Sequence, residues 1–334
     1  MKKRGMELCK ATSAKTEVDI PEKFIQEALE PRIAEAQTGK HARFFVKSNK
    51  KATWLLIFCM ILWGMGWPSG QKIVHNISFD ALIFWRFFIA FLALLPFLLF
   101  LPKFKITKKE LFFILLGTIA FATYIKLFFL GIAFGQAGIG GAIFTALSPL
   151  GVFLFSWAFF KTPISKHQFF ALLLGILGIS LILKLHLGLA KLFDSGNVYF
   201  VVAALVWSIL TLISQKAANT LNMIVFNTLL SFFAALFFFF LAGTQQIMDA
   251  FEQDLHFWGY LVFISAITSS FATTTYFWAV GKIGARKAGS FIFIVPLSAI
   301  VSSYLLVGEA IYMTTLLGAT LALSGVYLLQ KHRL

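Results

Sequence analysis

The chain has 334 residues, of which 59% are hydrophobic and 13% charged, with 41 phenylalanines and a formal charge of +15. A water-soluble domain carries roughly a quarter charged residues, so a mean hydropathy of +0.84 excludes an ordinary soluble fold. Repeated apolar stretches of about 20 residues, broken by short polar or basic loops, are the pattern of membrane-spanning helices.

Residues 1–51 precede the first such stretch. They hold twelve Lys/Arg and seven Asp/Glu and lack the apolar core of a signal peptide. Within them Ile25, Leu29 and Ile33 recur every four residues, which predicts a short amphipathic helix ended or bent near Pro31. The segment is read as a cytoplasmic arm, weakly ordered or bound to the membrane surface. Of the two cysteines, Cys9 lies in this arm and Cys59 inside the first apolar run, so no disulfide is expected.

Ten spans follow, near 52–73, 79–101, 109–132, 137–160, 166–186, 197–216, 221–242, 255–280, 287–307 and 312–330. With the arm inside, the inner loops collect Arg43, Lys47, Lys50, Lys51, Lys103, Lys105, Lys108, Lys109, Lys161 and Lys166. Lys216, Lys282, Arg286, Lys287, Lys331 and Arg333 complete the inner set. The outer loops hold only Lys72, Lys184 and Lys191, beside Asp80, Asp194, Asp249, Glu252, Asp254 and Glu309. A positive-inside bias of this kind puts both termini in the cytoplasm. The basic residues are therefore a topology signal, divided among loops, and not the continuous patch that nucleic acid requires.

The chain also repeats itself. LWGMGWPSGQK from Leu62 and VWSILTLISQK from Val206 each place a tryptophan eight residues before Gln-Lys, at an offset of 144 residues. Phe121-Ala122-Thr123 recurs as Phe271-Ala272-Thr273, with Gly131 and Gly281 eight residues after each threonine. Ala137-Gly138 precedes Pro149 as Ala288-Gly289 precedes Pro296, and Gly178 and Gly325 each lie 29 residues after those prolines. Five spans separate the two copies. Because five is odd, the second copy must enter the membrane from the opposite side, the inverted repeat of secondary transporters. The expected fold is all-α and integral to the membrane: a first five-helix repeat at 52–186 and a second at 197–330.

Several residues sit where such a carrier holds its solute. Trp63 and Trp207 fall near the midplane of spans one and six, and Pro149 and Pro296 near the middle of spans four and nine. A mid-helix proline frees a carbonyl that hydrocarbon tolerates only against protein or a wet cavity. The competing readings are a packing kink for the prolines and lipid-facing filler for the tryptophans. In span eight, Ser265, Ser269, Thr273 and Tyr276 share one face at α-helical spacing, either lining the cavity or bonding their own helix. Gln71 and Gln215 fall at opposite membrane faces, and are assigned to two gates or to helix-end capping. Arg86 and Lys126 are the basic residues well inside spans. Arg86 lies about six residues, roughly 9 Å of helix, from the outer face and is expected to snorkel to headgroups. Lys126, with no acid expected beside it, is the candidate for attracting an anionic group of the substrate.

WGMGWPSGQK in span one, Arg86 in span two, AGIGGAIFTALSP in span four, AGSFIFIVPLSAIVSSYLLVGEA and LLGATLALSGVYLL together resemble the drug/metabolite transporter superfamily, specifically its ten-helix EamA-like members. The resemblance covers 52–330. It departs at Lys161-Thr162, where the second half has Gly308-Glu309, so a role for that acid is not doubled. It implies export of a small metabolite such as an amino acid across the inner (plasma) membrane. An importer of a cofactor-like solute, of the S-adenosylmethionine or riboflavin type, is the second option, and a receptor or scaffold without flux a third. Enzyme readings lack parts: no HExxH, no His/Cys cluster with metal spacing and no acid pair within a span. GxxxG-like pairs such as Gly66/Gly70 read as helix contacts, not phosphate loops. No cofactor is expected. The expected partners are a small-molecule substrate, the bilayer and, as an open option, a second copy in a homodimer.

Single cysteines at Asp194 and Asp249 should react with an impermeant thiol reagent from outside intact cells. Cysteines at Lys105 and Arg286 should react only after permeabilisation, and an inside signal from Asp249 would end the inverted-repeat reading.

Overall fold

A computed structural model describes residues 40–101, 105–161, 166–182, 184, 187–188 and 196–331, with side chains from residue 53 onward. The expected amphipathic helix at 25–33, Cys9 and Asp194 lie outside the described residues. All the regular structure described is helical. In chain order the helices are α1 (Lys40–Ile73), α2 (Phe79–Leu98), α3 (Lys108–Phe134), α4 (Ala137–Phe160) and α5 (Lys166–Ile182). There follow α6 (Asn197–Ala217), α7 (Met223–Met248), the composite α8 (Leu255–Ile283), the composite α9 (Ala285–Val307) and α10 (Met313–Lys331). Eight of these (α1 from Thr53, α2, α3, α4, α6, α7, α8 and α9) are long and apolar enough to cross a membrane, judged by length and composition alone. α5, whose apolar core is the shorter Phe169–Ile182, and α10 are not among the eight.

Local chemistry sets the ends. Thr107 and Glu110 form a capping box at the start of α3: the Glu110 N–H donates to Thr107 Oγ1 and the Thr107 N–H to Glu110 Oε2. Ser78, Asn222 and Asp254 cap α2, α7 and α8. The Phe257 N–H bound to Asp254 holds that carboxyl below its usual range. α7 is broken at Gly243, whose φ of 75° favours glycine. This is where the apolar run was expected to stop, and one more turn lies beyond the break.

Two helices depart from regular winding. The middle of α8, Phe263–Ala272, is π-helical. Its side chains follow the same five-residue step: Ser269 Oγ donates to Ile264 O, Ser270 Oγ to Ser265 O and Thr273 Oγ1 to Thr268 O. Such a bulge re-aims every later side chain and recurs at functional sites. α9 is interrupted by a 3₁₀ turn at Ser290–Phe293, and Pro296 is the third residue of the α-helix that resumes at Ile294. Pro149, by contrast, sits inside an uninterrupted α4. Of the two mid-span prolines, therefore, only Pro296 adjoins an interruption, the 3₁₀ turn that precedes it.

From Trp54 onward the chain forms one unit. Within it α2 packs mainly on α7, α5 on α10, α4 on α9 and on α6, and α3 on α6. Apolar chains such as Phe170, Phe240 and Leu305 point outward, as lipid-facing surfaces do. Small residues let the helices close in. A Cβ on Gly64 of α1 would lie 2.4 Å from Ser298 Cβ and 2.8 Å from the Ala299 backbone nitrogen of α9. A Cβ on Gly151 of α4 would lie 2.4 Å from Ser208 Oγ of α6. Each serine also donates across its contact, Ser298 to Ile61 O and Ser208 to Ser148 O. The offset relating Trp63 to Trp207 carries Gly64 onto Ser208, and that relating Pro149 to Pro296 carries Gly151 onto Ser298. The two contacts are one Gly–Ser pair with its members exchanged.

Gly64→Ala should lower stability by about 1–3 kcal/mol, read as a drop in thermal unfolding temperature of the purified protein in detergent. Gly259→Ala, where an added Cβ meets nothing within 4 Å, is the control expected to leave it unchanged.

Candidate functional site: a central aromatic cavity

The site is assembled from seven helices. α1 supplies Trp63, Gly66 and Trp67, α2 supplies Arg86, and α3 supplies Phe121, Tyr124 and Phe128. Phe144 of α4, Trp207 of α6, Thr268 and Thr273 of α8 and Val295 of α9 complete the wall. The cavity measures about 30 Å³, the space of a water or two, so a metabolite enters only if helices part.

Aromatic edges set its shape. Trp63 and Trp207 meet edge to face, centroids 5.0 Å apart at 89°, the favoured arrangement of ring quadrupoles. Tyr276, fully buried, sits 5.0 Å from Trp63 and 5.7 Å from Trp207, while Tyr124 lies 4.9 Å from Trp207 on α3. Trp63 Nε1 donates to Thr268 O at 3.4 Å, tying α1 to the π-helical segment. Thr211 Oγ1 donates to Trp207 O, so the 3.3 Å contact between Thr211 and Tyr276 is a bond that Tyr276 Oη donates.

The polar half of the cavity is organised by α2 and α8. Arg86 is 6% exposed. Its Nε donates to Ser269 Oγ at 3.0 Å, and its guanidinium carbon lies 4.9 Å and 5.4 Å from the Phe128 and Phe129 ring centres. One helical turn on, Ser270 Oγ donates to Ala90 O of α2, and Asn227 Nδ2 of α7 donates to Ser269 O and Thr274 Oγ1. Among the described residues no carboxylate pairs with Arg86, and its Nη1 is buried without a hydrogen-bond partner. The expected snorkelling of Arg86 is thereby corrected. Its neighbours on α2, Trp85 and Phe87, are buried too, and Ser269 fixes the head of the side chain inward.

Lys126 is placed differently. Its Nζ is 3.1 Å from Asp80 Oδ1 with both side chains partly exposed, and it does not line the cavity. The sequence expectation that no acid faces it fails because Asp80, at the start of α2, comes within reach of the α3 side chain. Trp63, Trp207 and Thr273 do meet in the cavity. Tyr276 backs the tryptophans, Ser269 holds Arg86, and Pro149 and Pro296 are buried beside the site without lining it. Ser265 bonds back to Leu261 O and is likewise outside it. In α8 the residues facing the cavity are Thr268 and Thr273, five apart, because the π step replaces the 3.6-residue period that grouped Ser265, Ser269, Thr273 and Tyr276. Trp67, Phe121, Tyr124, Phe128, Phe144 and Thr268 were not anticipated. WGMGW, with Trp63 and Trp67 four apart on one face, carried a signal for one of them.

The two glutamines occupy corresponding turns. Gln71 donates from Nε2 to Gly135 O and accepts at Oε1 from the Ala137 N–H, at the turn into α4. Gln215 lies beside Gly284, at the turn into α9. At the first turn Glu309 joins in: its Oε1 accepts from the Ala137 N–H at 2.7 Å and its Oε2 from the Gly138 N–H at 2.8 Å. A carboxylate on a helix N-terminus is favoured by the unpaired amides and the helix dipole. It closes a second, smaller cavity lined by Gln136, Ile300, Tyr312 and Thr315.

The same family model, the EamA-like transporter family, matches twice, at residues 50–184 and 194–330. The chain belongs to the EamA-like transporter family. It is similar to the uncharacterized transporters YvbV and YetK of Bacillus subtilis. YvbV is 25% identical over 82% of this chain and 90% of its own length, and YetK 23% identical over 84% and 87%. A solved crystal structure shares the fold with a TM-score of 0.60 at 15% identity, over 83% of this chain and 97% of the other. This EamA-like transporter is thus a multi-pass membrane carrier of small solutes and not an enzyme.

Trp63→Ala and Trp207→Ala should each reduce solute flux severalfold at unchanged membrane abundance. Flux lost only in proportion to protein level would mean that the rings merely fill space.

Proposed function

We propose that this EamA-like transporter moves a small anionic or zwitterionic metabolite, amino-acid-like in size, across the plasma (inner) membrane by alternating access, in the direction of export. In this reading ten helices form two inverted five-helix repeats with both termini cytoplasmic, and the solute sits where the repeats meet. The observation that carries it is the central cavity, walled by Trp63 and Trp207 at equivalent positions of the two matched segments. The exchanged Gly–Ser contacts supply a second support: α1 on α9 and α6 on α4 are alike, so the two faces can open by matching movements. The basic-loop alternation supports the orientation.

The discriminating experiment compares metabolites inside and outside cells of a deletion strain with those of its complemented parent. Export predicts accumulation inside the deletion strain, import predicts depletion, and a receptor or scaffold predicts neither. Purified protein in sealed vesicles should then show counterflow of the solute so identified.

In this scheme Glu309 and Gln71 form the latch of one gate. In a cysteine-free background, a cysteine at Thr315, which is 5% exposed, should react slowly with an impermeant maleimide. Glu309→Ala should speed that reaction severalfold, and an unchanged rate would remove Glu309 from the gate.

A further inference from the structure

Arg86 is the single charged residue lining the central cavity among the described residues. A guanidinium removed from water carries a large desolvation penalty. One hydrogen bond to Ser269 and two ring faces satisfy one N–H and the faces of the group, not its outer edge. Among the described residues nothing answers Nη1. An aromatic-walled cavity with an unanswered guanidinium nitrogen and one uncompensated positive charge is complementary to an anion that brings its own acceptors.

We infer that Arg86 is the anion-binding residue of this carrier and that it takes a small monocarboxylate with an apolar or aromatic body, zwitterionic amino acids included. This rests on the transporter reading above. The bond from Nε to Ser269 and the rings of Phe128 and Phe129 fix the guanidinium plane and leave its outer edge free, the fork that matches a carboxylate. One positive charge compensates one negative charge, so a dianion would keep an unpaired charge in a low-dielectric site. The tryptophan and tyrosine faces accept the hydrocarbon body, and their quadrupoles accept an ammonium where the solute carries one.

The test uses matched acids and amides on the full chain in nanodiscs, read by tryptophan fluorescence, to which Trp63, Trp67 and Trp207 of the cavity contribute. Phenylacetate is compared with phenylacetamide, L-phenylalanine with L-phenylalaninamide, and benzylphosphonate serves as the dianion probe. The acid of each pair should bind at least about tenfold more tightly than its amide and than benzylphosphonate. Arg86→Gln should collapse the acid–amide gap to within about twofold, and Ser269→Ala, which keeps the charge but frees the fork, should narrow it severalfold. Should Arg86→Gln fail to fold, the wild-type pairs and Ser269→Ala still decide. Acid and amide within twofold in wild type, a full gap retained in Arg86→Gln, tighter binding of the dianion, or no binding by either acid each overturns the assignment. Vesicle uptake of a neutral solute alongside any of those results leaves the carrier standing and Arg86 out of its site, whereas no flux of any solute from a cell extract sinks the carrier reading itself.

Discussion

In hydrocarbon a polar group has no water to fall back on, and this constraint organises the molecule. The hydroxyls of Thr118, Ser148, Thr211, Thr228, Ser265 and Thr268 all donate to the carbonyl four residues behind them, a local solution available to any short side chain on a helix. Where α8 changes step, its hydroxyls change partner with it, and the carbonyls of Thr268 and Ser269 are met by Trp63 and Asn227 from other helices. The irregular segment is tolerated because these carbonyls find donors on neighbouring helices. Against that background Arg86 stands out, since the fold spends a serine and two rings on holding it and leaves its end unanswered.

Helices in lipid gain little from hiding apolar surface, so close approach must do the work. Gly64 against Ser298 and Gly151 against Ser208 show how the two halves share the task. Each contact needs one residue with no side chain and one that can donate across the gap. A duplicated chain can place the glycine on either helix, and here both glycines fall in the first half, on α1 in one contact and on α4 in the other. That exchange preserves the volume of the contact while letting the sequences drift apart.

The membrane class, the boundaries of most helices and the placing of Trp63 and Trp207 were legible because they depend on composition, period and spacing. The end of the apolar run at Ala242 was legible because Gly243 follows it. What was not legible depended on register. Span eight read as α-helical groups Ser269 with Thr273, but a π step inside α8 turns Thr268 toward the cavity and Ser269 toward Arg86. No single residue in SAITSSFATTT marks that step. Arg86 and Lys126 were told apart incorrectly for a related reason: depth along a helix says nothing of which way a side chain faces. Asp80 lies 46 residues from Lys126 in sequence and 3.1 Å away in space.

The acid at Glu309 has no acidic counterpart in the first half, where Lys161-Thr162 stands instead. Two charge-assisted bonds to the start of α4, at about 1.5–3 kcal/mol each when buried and less in a half-exposed site, would in the proposed alternating-access scheme tilt the balance between its two conformations. A tilt of about 1.4 kcal/mol is already tenfold in population. In the alternating-access scheme proposed above, one unmatched carboxylate would thus give two matched halves a resting posture, the one sealed at the Glu309 end.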